Sequence, residues 1–290
     1  MEPLESHVLF VASDGRFAVG AIDEIDEKYG KYVQTQSDTF FQPNWTHVVA
    51  VGPHILFVRH DGLFEVGHID QGNPAVGLPR YVNTEGPKPG FSTGWTHIVA
   101  VGPHILFVNS DTGRFAVGHI DQGKPTSLPQ YVNTQSGTVF STGWTHVVTV
   151  GPNILFVDSD TGQFEVGHIN LSTGTFKSTA GPKPHPAFVG ATHVVVVGSY
   201  ILSGRANAFE VGYIDEANSD YVPTESRGPG VGGFPGPGPF HLVAVGPHVL
   251  GVSPTRDLGF VLHVNPLGQF AETHSGPDFA SDWTHVVAVA

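Results

Sequence analysis

Trp45-Thr46-His47-Val48-Val49-Ala50-Val51 is the stretch from which the rest of the chain can be read. It returns at Trp95–Val101, Trp144–Val150 and Trp283–Val289, and weaker copies begin at Ala191-Thr192-His193 and Phe240-His241. Aligned on the histidine, the six copies lie 50, 49, 47, 48 and 44 residues apart. A strand-like, β-branched segment recurring at such an interval marks a repeat architecture and has to be explained before any single residue is.

The copy from Trp95 to Gly143 reads as four strands. Thr96–Val101 ends at a Gly102-Pro103 turn, and His104–Val108 ends at Asn109-Ser110-Asp111-Thr112-Gly113. Arg114–Ile120 leads into a polar loop with Gly123 and Pro125, and Gln130–Gln135 closes the unit. Strands of this kind are rich in β-branched and aromatic residues, and Asp, Asn, Gly and Pro make the turns between them. A unit of roughly 45 residues cannot bury both faces alone and has the size of a propeller blade.

The last copy stops right after its first strand, while His7-Val8-Leu9-Phe10-Val11 matches His54-Ile55-Leu56-Phe57-Val58, the second strand of a unit. The expectation is therefore all-β: a six-bladed β-propeller of four-stranded blades, closed by the C-terminal strand completing the N-terminal blade. Residues 1-290 then form a single domain, with blades at 1-44 plus 283-290, 45-94, 95-143, 144-190, 191-238 and 239-282. Arg227–Gly238 reads as a long loop of the fifth blade.

Composition narrows the function. The 290 residues include 37 Gly and 23 Pro, and only 13% are charged, as suits many short strands joined by turns. A formal net charge of −13 with 13 Lys and Arg argues against a nucleic-acid partner or an anionic lipid surface. With no cysteine, neither a disulfide framework nor a thiolate ligand can exist. The N-terminus has no signal-peptide pattern and no segment is long and apolar enough for membrane insertion, so the chain is expected to be cytoplasmic, or released without a signal peptide.

Because the strands alternate in direction, two sets of turns gather on opposite faces. One face collects Trp95, Thr96 and His97 with Asp111 and Asn133-Thr134. Its candidate binding residues are Trp45, Trp95, Trp144 and Trp283, the turn acids Asp14, Asp61, Asp111 and Asp160, and Asn83 and Asn133. An indole offers a platform for a pyranose ring, while carboxylates and amides take its hydroxyls, the usual mixture of a small-molecule site. The competing reading puts each Trp between blades as core, with its N–H satisfied. The fifth and sixth copies carry Ala191 and Pro239 in place of Trp while retaining the strand, which favours a functional role.

His47, His97, His146, His193, His241 and His285 form a repeated set at the start of the first strands. They read either as an axial anion or metal site or as hydrogen-bonding links between neighbouring blades; six spread imidazoles are too far apart to chelate one ion well, which favours links. His47, His97, His146 and His285 join the candidate binding residues. On the opposite face, His54, His104 and His248 lie near His68, His119 and His168, which precede Asp70, Asp121 and Asn170, and read as structural. No metal or other cofactor is expected. Asp158-Ser159-Asp160-Thr161-Gly162 lacks the distal glutamate of a calcium loop and reads as a hairpin turn. Glu65, Glu165 and Glu210 alternate with Ala18 and Ala116 at one repeat position.

Gly94-Trp95 and Gly143-Trp144, each entering a Val-rich strand, followed by a second strand, an Asp-Gly type turn and an aromatic third strand, resemble the tachylectin and tectonin group of β-propeller lectins. The resemblance implies a fungal-type defence lectin with one glycan site per blade or blade interface. The expected function is thus multivalent carbohydrate binding, with glycans or glycoproteins as partners, no catalytic residues, and an arrangement compatible with a homodimer. A metal-dependent hydrolase and a protein-interaction scaffold are the alternatives, since this fold hosts both.

Overall fold

The computed structural model describes residues 7–26, 29–39, 42–70, 80–121, 130–138, 141–205, 208–227, 240–255, 259–276 and 282–289. The loop expected at Arg227–Gly238 lies, beyond its first residue, outside the described residues. The fold is a six-bladed β-propeller, and each blade is an antiparallel sheet of four strands. In chain order these are β1 (His7–Ala12), β2 (Arg16–Asp26) and β3 (Tyr29–Thr39); β4 (Trp45–Val51), β5 (His54–Arg59), β6 (Leu63–Asp70) and β7 (Arg80–Pro89). Then come β8 (His97–Val101), β9 (His104–Asn109), β10 (Arg114–Asp121) and β11 (Gln130–Thr138). The fourth blade has β12 (His146–Val150), β13 (Asn153–Asp158), β14 (Gln163–Asn170) and β15 (Thr175–Pro184). The fifth has β16 (His193–Val197), β17 (Tyr200–Arg205), β18 (Ala208–Asp215) and β19 (Asp220–Arg227). The sixth has β20 (His241–Val245), β21 (His248–Val252), β22 (Gly259–Val264) and β23 (Phe270–Gly276), and β24 (Trp283–Val289) ends the chain.

The closure read from the two chain ends is present. β24 pairs antiparallel with β1, His7 opposite Val289 and Val11 opposite His285, and completes the first blade in the order β24-β1-β2-β3. The Thr284 hydroxyl donates to the Val11 carbonyl over 3.0 Å. The chain falls into two compact units, one holding the first, second and sixth blades and the other the third, fourth and fifth.

Among the described residues, entry into five of the six first strands needs a left-handed residue. Asn44, Gly94, Gly143, Gly190 and Asp282 have φ of 70, 80, 89, 68 and 74°, a region that glycine, asparagine and aspartate tolerate best. This turn aims the next side chain, Trp45, Trp95, Trp144, Ala191 or Trp283, inward. Within each unit, core clusters join neighbouring blades: Phe17 and Val19 of β2 pack with Trp45, Ile55 and Phe57, and Phe115 and Val117 of β10 pack with Trp144, Ile154 and Phe156. The second strand's aromatic ring then meets a ring of the fourth strand, with Phe57–Tyr81 and Phe107–Tyr131 centroids 5.7 and 5.4 Å apart. Room for that ring comes from a third-strand glycine; a Cβ on Gly67 would fall 2.1 Å from the Tyr81 oxygen.

Candidate ligand-binding site

The four tryptophans expected to stack on a ligand are packing residues. Trp45, Trp144 and Trp283 are 6%, 3% and 7% exposed. Each leans on the phenylalanine of its own blade's second strand: Trp45 on Phe57 and Trp283 on Phe10 at 5.5 Å, and Trp144 on Phe156 at 5.8 Å. Trp95 is half-buried and packs on Phe107 at 5.6 Å, while the Arg114 guanidinium lies 4.3 Å from its ring centroid. A cation over that face is itself a stabilising contact and occupies the place a sugar would need. The indole N–H groups of Trp45, Trp95 and Trp144 have no hydrogen-bond partner among the described residues, so the satisfied N–H expected of a core indole is not present.

The loss of Trp in two blades has a packing explanation. Where the other blades carry Phe10, Phe57, Phe107 and Phe156, β17 has Ser203 and β21 has Gly251, so the indole and the ring beneath it disappear together. In the fifth blade Phe188, from a short 3-10 turn at Pro186–Phe188, fills the space beside Ala191 and meets Phe164 and Tyr221 at 5.6 and 4.9 Å. In the sixth, Phe260 stands opposite Gly251 and receives Phe240 at 5.5 Å.

The turn acids serve the turns. Asp14 accepts from Arg16 Nε at 2.7 Å, and the Arg16 hydrogen bond lowers its pKa. Asp61 accepts from Arg59 Nε and Nη2 and from the Leu63 amide, with the Arg59 hydrogen bond holding its pKa near about 2. Asp111 and Asp160 are exposed, and their amides donate to Asn109 Oδ1 and Asp158 Oδ1. Asn83 lies away from Trp45: its Nδ2 donates to Glu65, which also accepts from the Tyr81 hydroxyl at 3.1 Å. Burial pushes Glu65 up to about 7. Asn133 is exposed on β11, opposite Gly118 of β10.

Four of the repeated histidines, His97, His146, His241 and His285, link neighbouring blades. His97 Nε2 faces the Thr145 carbonyl at 3.1 Å and its Nδ1 faces the Thr96 hydroxyl at 2.9 Å. His146 and His285 make the same backbone contact to Thr192 and Thr46, and His241 Nε2 lies 2.7 Å from the Trp283 carbonyl. A carbonyl can only accept, so Nε2 carries the proton in each, a tautomer assigned from the network. Burial lowers the pKa of His97, His146 and His285. His47 Nδ1 likewise faces Thr46 at 3.1 Å. Among the described residues no three of His, Asp and Glu come together as a metal site.

The opposite face holds the histidines read from the repeat, except that His168 faces Asn153 and His248 faces His263, and a cleft that the repeat does not mark. At the start of the second strand and the end of the third, histidines face each other across the sheet as His54–His68, His104–His119 and His248–His263. Blades one, four and five break this pattern, with His7–Ala21, Asn153–His168 and Tyr200–Tyr213. Between β13 and β17, inside one compact unit, a cleft of about 320 Å³ opens, lined by Val150, Asn153, Ser199, Tyr200, Tyr213, Ile214 and Glu216. The equivalent place one blade earlier is covered by Leu171, whose carbonyl meets His104 Nε2 at 2.9 Å and whose side chain lies against Gly102. Glu216 takes the place of Leu171 in the repeat, and the smaller Asn153 takes that of His104.

The polar lining is ordered. His168 Nδ1 meets Asn153 Oδ1 at 3.2 Å, and Asn153 Nδ2 donates to Glu216 Oε1 at 2.9 Å. Glu216 is presented by a turn in which Asp215 accepts from the Ala217 amide and from Asn218 Nδ2, at 3.0 and 2.6 Å. Ser199 supplies a hydroxyl where Pro53, Pro103 and Pro152 follow the turn glycine in other copies. Tyr213 is 38% exposed, so its ring is within reach of a ligand. The departure of the fifth copy, Gly198-Ser199-Tyr200 for Gly-Pro-His, is the sequence signal that marks this place.

No protein-family model and no curated protein matches the sequence. Solved structures do match in fold. A periplasmic gluconolactonase from Pseudomonas aeruginosa has a TM-score of 0.55 at 16% identity, over 100% of this chain and 86% of its own. A protein from Lactobacillus plantarum has a TM-score of 0.55 at 14% identity, over 99% of this chain and 100% of its own. Apo AztD from Citrobacter koseri has a TM-score of 0.51 at 12% identity, over 99% and 98%. At these identities the likeness is one of fold.

Proposed function

We propose that the chain is a carbohydrate-binding protein and that the cleft between its fourth and fifth blades takes one sugar ring. The observation that carries this reading is the grouping of Tyr213 with Asn153, Ser199 and Glu216 around about 320 Å³ of open volume, the Tyr200 ring lying against Gly268 instead. A pyranose has an apolar face and a rim of hydroxyls. The Tyr213 ring matches the first, and an amide, a hydroxyl and a carboxylate match the second. The site differs in place and chemistry from the tryptophan platforms, and it needs no tachylectin-type indole. Glycans or glycoproteins are the proposed partners, without a catalytic role for the chain.

The test is a glycan array read alongside calorimetric titrations of monosaccharides. Removing the Tyr213 ring (Tyr213→Ala) is expected to weaken sugar binding about tenfold or more, since an aromatic platform contributes on the order of 1 kcal/mol beyond its area. Sugar binding that survives Tyr213→Ala unchanged, in a protein that still folds, overturns the assignment.

Lactone hydrolysis is the second reading, favoured by the gluconolactonase name of a structural neighbour. In this chain Glu216 would be the carboxylate placed to activate a water in the cleft. Hydrolysis of glucono-δ-lactone above the uncatalysed rate, lost in Glu216→Gln, would favour the enzyme over the binder.

A further inference from the structure

The charge of the cleft narrows its ligand, on the premise that it is a sugar site. We infer that the preferred ligand is an amino sugar, a ring bearing a protonated amine, and that sugar acids and sugar phosphates are rejected. Of the seven lining residues, Glu216 alone belongs to a charged type, and no Lys or Arg is among them. A carboxylate in water is negative at neutral pH. Among the described residues only Oε1 of Glu216 is committed, to Asn153 Nδ2 at 2.9 Å, which leaves Oε2 to accept from a ligand. Asn153 is in turn oriented by His168 Nδ1 at 3.2 Å, so the carboxylate is steered by a chain of two side chains rather than left to swing.

A cation beside the same turn is already engaged. Lys183 Nζ lies 3.5 and 3.4 Å from the carbonyls of Asn218 and Ser219 and 3.8 Å from Asp220, on the other side of the turn that carries Glu216. The chain as a whole is at −13. An anionic ligand would meet a negative charge that no cation pairs among the described residues, whereas an ammonium would gain a charge-assisted hydrogen bond.

The experiment is isothermal titration of the full chain with D-glucosamine, N-acetyl-D-glucosamine, D-glucose and D-glucuronate at pH 6.5 in moderate salt. Glucosamine is expected to bind roughly three- to tenfold tighter than glucose, the range for a partly exposed charge-assisted contact. The N-acetyl sugar, with its charge removed, should follow glucose, and glucuronate should bind more weakly than either. In Glu216→Gln the glucosamine-to-glucose ratio should fall to about one. Glucuronate or glucose binding as tightly as glucosamine overturns the inference and leaves the sugar site standing, as does a preference that persists in Glu216→Gln. Silence from all four sugars overturns the sugar reading itself, and this inference with it.

Discussion

Phe188 and Tyr221 stack with ring centroids 4.9 Å apart, and this contact fills in the fifth blade the space that four other blades give to an indole. Phe188 is fully buried and comes from the loop before β16, a different route to the same volume. The tryptophans are therefore interchangeable with another large ring, provided the second-strand partner changes too. Phe188→Ala and Trp144→Ala should each destabilise the fold by about 3–5 kcal/mol, as expected for deleting a buried aromatic. Urea denaturation measures this, and a loss under about 1 kcal/mol at either position would contradict the packing role.

How much of this was legible in the sequence depends on whether one strand or two decided the matter. The blade count, the turns and the pairing of β24 with β1 could all be read, because each rests on a local pattern repeated along the chain. The fate of Trp45 or Trp144 could not be read from its own strand, since burial is set by the neighbouring blade, through residues such as Phe17 and Phe115. A signal was present nonetheless: Ser203 and Gly251 replace phenylalanine in the two copies that lack Trp. The candidate cleft is not legible in what the copies share. Tyr200, Tyr213, Asn153 and Glu216 are departures from the repeat, and a pocket opens where near-symmetry fails.

Glu65 should make the protein more stable in mild acid than in mild base. It is 3% exposed, and burial raises its pKa from 4.5 to about 7. Between those values the unfolded chain has released a proton that the folded chain keeps, so rising pH favours unfolding, and the effect levels off above about 7. Glu65→Gln keeps an oxygen for Tyr81 and Asn83 and removes the titration. The variant should gain up to about 3 kcal/mol over wild type at pH 8 and much less at pH 4.5. Equal gains at both pH values would contradict the assignment.

The histidine links act in the opposite sense. Burial lowers the pKa of His97, His146 and His285 below the ordinary 6.5, so the unfolded chain takes up protons that the folded chain refuses. Stability should fall as pH drops below about 6.5 and level off below the folded-state values. Thermal melts of wild type and His146→Gln from pH 7.5 to 5 test this. The variant should be less stable at neutral pH, having lost the contact to the Thr192 carbonyl, but should lose less on acidification. A steeper acid loss in the variant would contradict it.

Closure by the last strand predicts that its pairing is required. Truncation before Trp283 strips β1 of its partner along His7–Ala12 and removes the Thr284 hydrogen bond. The shortened chain should lose its cooperative melt, because β1, buried along its whole length, would be left as an exposed sheet edge. A synthetic peptide of residues 282–290 should restore part of it. A truncated protein melting like wild type would contradict the closure.

The central claim, that sugar is bound at the tyrosine cleft and not at the tryptophan face, is tested most directly by one glycan-array comparison of Tyr213→Ala with Trp95→Phe, both confirmed as folded by thermal melt. The account predicts that Tyr213→Ala loses the array signal and Trp95→Phe keeps it. A signal lost in Trp95→Phe and kept in Tyr213→Ala would contradict it.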